Sequence, residues 1–267
     1  MNRILRHALI GGSYFVQALK MRMEYRTDFL VECMASLLQQ ASGLLTLKFL
    51  FNNFHALNTW TQYEVFFIYG FSLIPLSLFD LFSMNLYMFS DKYIVSGELD
   101  RLLLRPLSSL FQLLMEGIGF DFVADLTLGV IVLGYSWHQV GPPITFLVCV
   151  KFAVFVVGGW AVLAGVFLTL TSFSFWSQDR FSILPPVYNL LSFARYPLNI
   201  YRPFVRLLLT WVIPFGFVAF YPSAGFLTKG AAFKELSYYV PLAGLVMLSL
   251  GIGVWCMGLR KYAGAGT

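Results

Sequence analysis

Charge is what this sequence has least of: 12% of its 267 residues are Asp, Glu, Lys or Arg, against a hydrophobic share of 58%. Soluble domains carry about 25% charged and roughly 45–50% apolar residues, so too little polar surface remains here to clothe a water-soluble body. No charged residue falls between Asp125 and Lys151, Lys151 and Asp179, Arg206 and Lys229, or Glu235 and Arg260. A bilayer core about 30 Å thick is crossed by roughly 20 helical residues. The chain therefore reads as an all-α, polytopic membrane protein.

Cysteine and histidine are scarce too. Cys33, Cys149 and Cys256 are scattered one to an apolar segment, and His7, His55 and His138 are far apart. Neither set has the spacing of a disulfide framework or a metal site, so no metal is expected. No GxxxxGK[ST] loop is present to cradle a nucleotide triphosphate, and no GxSxG, HExxH or CxxC motif appears. No catalytic residue is assigned. The net charge of +5 reports membrane topology rather than nucleic-acid binding.

Apolar length sets the organisation: a single transmembrane domain over 1–267, without internal repeats. Residues 1–28 hold an uncleaved helix (3–24) lying in the cytoplasmic interface, since Lys20, Arg22 and Arg26 follow its apolar stretch and oppose translocation. Spans are expected at 29–51, 62–88, 111–135, 144–172 and 238–259, with a charged cytoplasmic loop at 90–110. The stretch 174–237 holds six of the eleven prolines and admits two readings. Either 204–221 is the fifth span, or 182–199 is the fifth span and 203–221 a re-entrant hairpin on the far side. Both give six crossings and cytoplasmic termini. Counting Lys and Arg on the inner side favours the first.

The loop is the richest segment. Ser96 is placed to cap a short helix with Glu98 and Asp100 in its first turn. Arg101 and Arg105 share a face, Glu98 reaches Arg101, and Leu99, Leu102 and Leu103 form an apolar stripe. Pro106 ends the helix, and Ser109 with Gln112 reads as a capping box for the third span. Such a helix suits either the membrane surface or a partner's groove.

The run Gly97-Glu98-Leu99-Asp100, followed by Leu103-Leu104-Arg105-Pro106-Leu107, resembles the cytoplasmic loop of a permease family within the type-2 ABC exporters. Tyr25-Arg26-x-Asp28-Phe29, Tyr196-Pro197-Leu198, Ile213-Pro214-Phe215 and Tyr221-Pro222 agree with it, and the likeness covers nearly the whole chain. The resemblance implies a six-span exporter subunit in the inner or plasma membrane of a bacterial cell. It also implies re-entrant helices between the last two spans, which favours the second reading against the arginine count. Gly97, Glu98, Leu99, Asp100, Arg101, Leu102, Arg105 and Pro106 then form the contact with separate ATP-binding subunits. ATP and Mg belong to those subunits and no cofactor to this chain. A second copy or a related permease completes the pathway, and membrane lipids surround it.

Ionisable residues inside spans face protein or a wet cavity, since a central charge costs roughly 2.5–3.5 kcal/mol on insertion scales. The candidates are Asp80, Asp121, Asp125 and Lys151, with Glu116 also in the third span. Asp125 and Lys151 are expected at comparable depths on consecutive antiparallel helices, which makes them candidate ion-pair partners. An ion-coupled secondary transporter using the aspartates, or a non-transporting scaffold, are the rival functions.

Overall fold

The computed structural model describes residues 3–54, 56–120, 122–177, 184–227, 231–262 and 264. It is all-helical, at 83% helix. Helix α1 (Arg3–Glu24) runs into α2 (Arg26–Asn53) through a bend at Tyr25, whose φ of −98° and ψ of 46° leave the helical region. Thr61 starts α3 (Gln62–Tyr87): the Glu64 carboxylate accepts its backbone N–H and its hydroxyl, each at 2.8 Å. Thr-x-x-Glu is the sequence signature of such a start.

A wide turn (Phe89–Val95) and the six-residue α4 (Glu98–Leu103) make the loop. Next come α5 (Ser109–Glu116) and α6 (Phe122–Val140), where one continuous third span is expected from the sequence. Gly117 and Gly119 open the break. The Asn85 amide donates to Leu113 O at 2.8 Å and Gly119 N–H to Leu81 O at 3.2 Å, so α3 supplies partners that the interrupted helix lacks.

Helix α7 (Phe146–Ser172) follows, then α8 (Ser174–Ser177), α9 (Leu184–Ala194), α10 (Pro203–Leu207), α11 (Phe220–Ala224), α12 (Ala231–Ser237) and α13 (Val240–Lys261). Among the described residues, four helical stretches are long and apolar enough to cross a membrane: 26–53, 62–95, 146–177 and 240–261.

Helix α3 is the axis of the bundle, with both faces buried. It runs antiparallel to α6, because Phe67 meets Trp137 while a Cβ on Gly70 would sit 2.7 Å from Leu133 N. It runs parallel to α7, because Phe71 meets Phe152 and Phe79 meets Phe167. Helices α7 and α13 lie parallel with their backbones almost touching. Gly158 faces Gly244 and Gly165 faces Gly251, and a Cβ on Gly165 would lie 2.2 Å from the Met247 carbonyl carbon. Small residues allow that approach where dispersion and close backbone packing replace the hydrophobic drive. Phe67, Phe71 and Phe79 are fully buried packing residues.

Two parallel helices, α7 and α13, require the chain between them to return the full height of the bundle. Tyr188 of α9 packs against Tyr87 at the end of α3, whereas the Asn199 Oδ1 accepts the indole N–H of Trp60 at its start. The chain then comes back. Phe215 stacks with Phe167, Val218 lies against Gly159, and Phe226 packs on Phe155 near the first turns of α7.

Candidate functional site

The 97–106 loop is built differently from its sequence expectation. Gly97, not Ser96, precedes α4, at φ +72° in the left-handed region that glycine enters freely. The Ser96 hydroxyl instead donates backwards to Asp91 O at 2.8 Å, closing the wide turn before it. The capping box at α5 does not form either, since Gln112 reaches out of the helix and donates to Leu102 O at 3.0 Å and Leu107 O at 3.1 Å. One buried amide thereby ties the last turn of α4 and the chain just after Pro106 to α5.

Charge does the rest. Glu116 ends α5, where the negative end of the helix dipole disfavours an anion. Arg105 approaches it at 2.8 Å and Arg101 at 3.8 Å, while Arg101 also lies 3.6 Å from Glu98. Arg105 donates to Tyr14 Oη at 3.2 Å, which brings α1 into the cluster. Leu99 and Leu102 are fully buried beneath it. Leu103, by contrast, is half exposed and Leu104 is 87% exposed, so the apolar tip of a braced loop projects from the bundle.

Beside the loop lies a polar cavity of about 840 Å³. Its walls are α2, the end of α3, the α5–α6 break and α9, and Glu116 and Lys92 link it to the loop. Asp80 and Asp125 both line it. Asp80 accepts from Ser83 at 3.3 Å and from Tyr188 at 3.5 Å. Asp125 accepts from Ser36 and, at 3.0 Å, from the Gln40 amide. The other end of that amide accepts from Arg195 at 2.7 Å and from Tyr69 at 3.0 Å.

Lys151 is elsewhere, and the expected Asp125–Lys151 pair does not form. Asp125 sits in the first turn of α6 and Lys151 in the second turn of α7. Antiparallel helices put those positions at opposite ends. Lys151 Nζ donates to Gly225 O at 2.6 Å and lies 4.8 Å from the ring centroid of Phe226 and 5.2 Å from that of Phe155. Asp121 falls outside the described residues. Among the described residues no group of His, Cys, Asp and Glu is arranged to hold a metal ion.

Gln40, Arg195, Tyr69 and Ser36 are site residues that sequence reasoning missed. The one legible signal was Gln39-Gln40, two amides in the middle of an apolar helix, where an unsatisfied polar group is costly.

No curated protein and no solved structure gives a significant match to this chain. A family description does: residues 37–266 match the family of ABC-2 family transporter proteins, from the middle of α2 through the loop, the cavity walls and α13. The chain belongs to the ABC-2 transporter family, as a multi-pass membrane permease subunit whose family associates with ATP-binding subunits.

Proposed function

We propose that this chain is half of an ATP-driven exporter, moved by separate ATPase subunits that grip the 97–106 loop. The observation that carries the reading is Leu104, exposed at the tip of a loop whose opposite face is buried and whose arginines converge on Glu116 at the cavity rim. A push on Leu103 and Leu104 reaches Glu116 and the α5–α6 break through short ionic contacts, not through a flexible linker. ATP and Mg are held by the partner chains. The cavity adjoins the loop, so substrate enters from the cytoplasm or the inner leaflet and leaves on the far side. A second copy or a related permease completes the path.

Six crossings and cytoplasmic termini go with this reading, in one domain over 1–267. The fifth crossing is the ascent from α9 to Asn199, since α9 alone has 11 residues, about 16 Å of helix. The stretch 203–221 is the re-entrant hairpin. Its support is the return from Asn199 at the Trp60 end to Phe215 at Phe167 and back to Phe226 at Phe155. Arg195, one of the three arginines (with Arg202 and Arg206) whose count favours the other reading, is bonded to Gln40 in the cavity wall, which weakens its weight as a loop residue.

Pull-down of the ATPase from native membranes tests the docking role. Glu98→Lys combined with Arg101→Glu, or Leu104→Asp alone, is expected to abolish co-purification while membrane insertion stays intact. Unchanged co-purification in both variants refutes it.

A further inference from the structure

The cavity fixes two opposite charges without letting them meet, and this bears on what it holds, given the transport reading above. Asp125 is 8% exposed, yet its partners are neutral, the Ser36 hydroxyl and the Gln40 amide. Arg195 donates to Gln40 Oε1 and lies 5.8 Å from the Tyr69 ring centroid. Among the described residues neither has an opposite charge within ion-pairing distance. If the two served packing alone, bringing them into contact would offset part of the desolvation that each now bears separately. Instead the Gln40 amide stands between them, its orientation fixed because the Tyr69 hydroxyl also donates to its oxygen.

Both charges retain binding capacity. A guanidinium has five N–H donors and a carboxylate about four acceptor positions. Arg195 gives one hydrogen bond to a described residue and each Asp125 oxygen receives one. Both side chains line the same cavity, whose volume of about 840 Å³ lies in the usual range for ligand sites, roughly 300–1,000 Å³. Of the other charges on the wall, Arg22 pairs with Glu32 and Glu116 with the loop arginines, while Asp80 accepts from Ser83 and Tyr188 and Lys92 lies over the Tyr93 ring.

We propose that this cavity binds a zwitterionic group, its cationic part against Asp125 and its anionic part against Arg195. A ligand of one sign gains from one of these residues and is opposed by the other, whereas a zwitterion satisfies both. Selectivity by charge pattern follows.

The test uses the purified full chain in lipid nanodiscs with three probes of one alkyl length: an alkylphosphocholine, an alkyltrimethylammonium and an alkyl sulfate. The wild type is expected to bind the phosphocholine most tightly. Arg195→Gln should weaken that probe about tenfold, the worth of one charged hydrogen bond, and favour the cationic probe. Asp125→Asn should do the reverse and favour the sulfate. Arg195→Lys, which keeps the charge, should retain the wild-type order. Equal shifts for all three probes in variants that melt like wild type would overturn the proposal, as would no phosphocholine preference in the wild type. Phosphocholine without its chain distinguishes the source. Comparable binding assigns a soluble zwitterion, and much weaker binding assigns a lipid headgroup. The assay needs no ATPase, so charge selectivity with no ATPase co-purification would reject the transport reading alone, and the converse would reject only the ligand.

Discussion

The α7–α13 seam and the α2–α6–α9 cavity are two solutions to holding helices together without a hydrophobic drive between them. In the seam, side chains are removed: Gly158, Gly165, Gly244 and Gly251 bring two backbones into contact, and nothing polar is needed. In the cavity, side chains are added, and a four-residue hydrogen-bond network around Gln40 spans the gap that volume leaves open. A seam of the first kind has one geometry, because any added atom strikes main chain. A network of the second kind can exchange partners with a ligand or water and survive it. The permease thus pairs a rigid half with an adaptable one, and the loop is clamped to the adaptable half through Glu116.

Breaking the seam should cost most. A Cβ on Gly165 already falls 2.2 Å from the Met247 carbonyl carbon, so Gly165→Leu forces α13 away along its length. Overpacking typically costs about 1–3 kcal/mol, and backbone that cannot yield puts this case at or beyond the upper figure. Thermal unfolding in detergent with size-exclusion profiles would read it. A variant that melts within a degree or two of wild type would mean the helices are not in contact there.

The seam and the cavity were unequally legible in the sequence. Membrane class, the positions of α2, α3, α7 and α13, and the loop all follow from uncharged length and from Gly, Pro and charge placement. The seam was in principle readable from glycines seven apart on both helices, though a partner helix cannot be named from one pattern. The cavity was harder. Asp80 and Asp125 were flagged because a lone charge in an apolar run is expensive, but Gln40 and Arg195 belong to the site only through a contact 155 residues long in sequence. The local pattern around Arg195 fits a loop arginine equally well. The same limit explains the loop: Ser96 and Ser109 had capping-competent spacing, while tertiary contacts of Gln112 and the left-handed Gly97 decided the actual ends.

Removing the network should cost less than removing the seam. Gln40→Leu keeps volume but deprives Asp125, Arg195 and the Tyr69 hydroxyl of a partner, which predicts a loss of about 2 kcal/mol. Water entering the cavity offsets part of it, so the measured loss is expected to be smaller in a hydrated nanodisc than in a dehydrating detergent. Equal losses in both would show that the cavity is dry.

A third charge, Lys151, sits at the far end of the seam and is held in a third way, by the Gly225 carbonyl and the rings of Phe226, Phe155 and Tyr238. Lys151→Met keeps the stem packed and removes the cation, which predicts a loss of roughly 1 kcal/mol and a looser 215–227 segment by hydrogen exchange. The smallest effect is also the sharpest discriminator between the two ends. In a double-mutant cycle, Asp125→Asn and Lys151→Met should add to within about 0.5 kcal/mol, as distant sites do. Direct ion pairing across spans three and four, the sequence-based expectation, would instead give a coupling of about 1 kcal/mol or more. Additivity leaves Asp125 electrostatically bound to its own cavity, where Gln40 and Arg195 are the residues it should couple to.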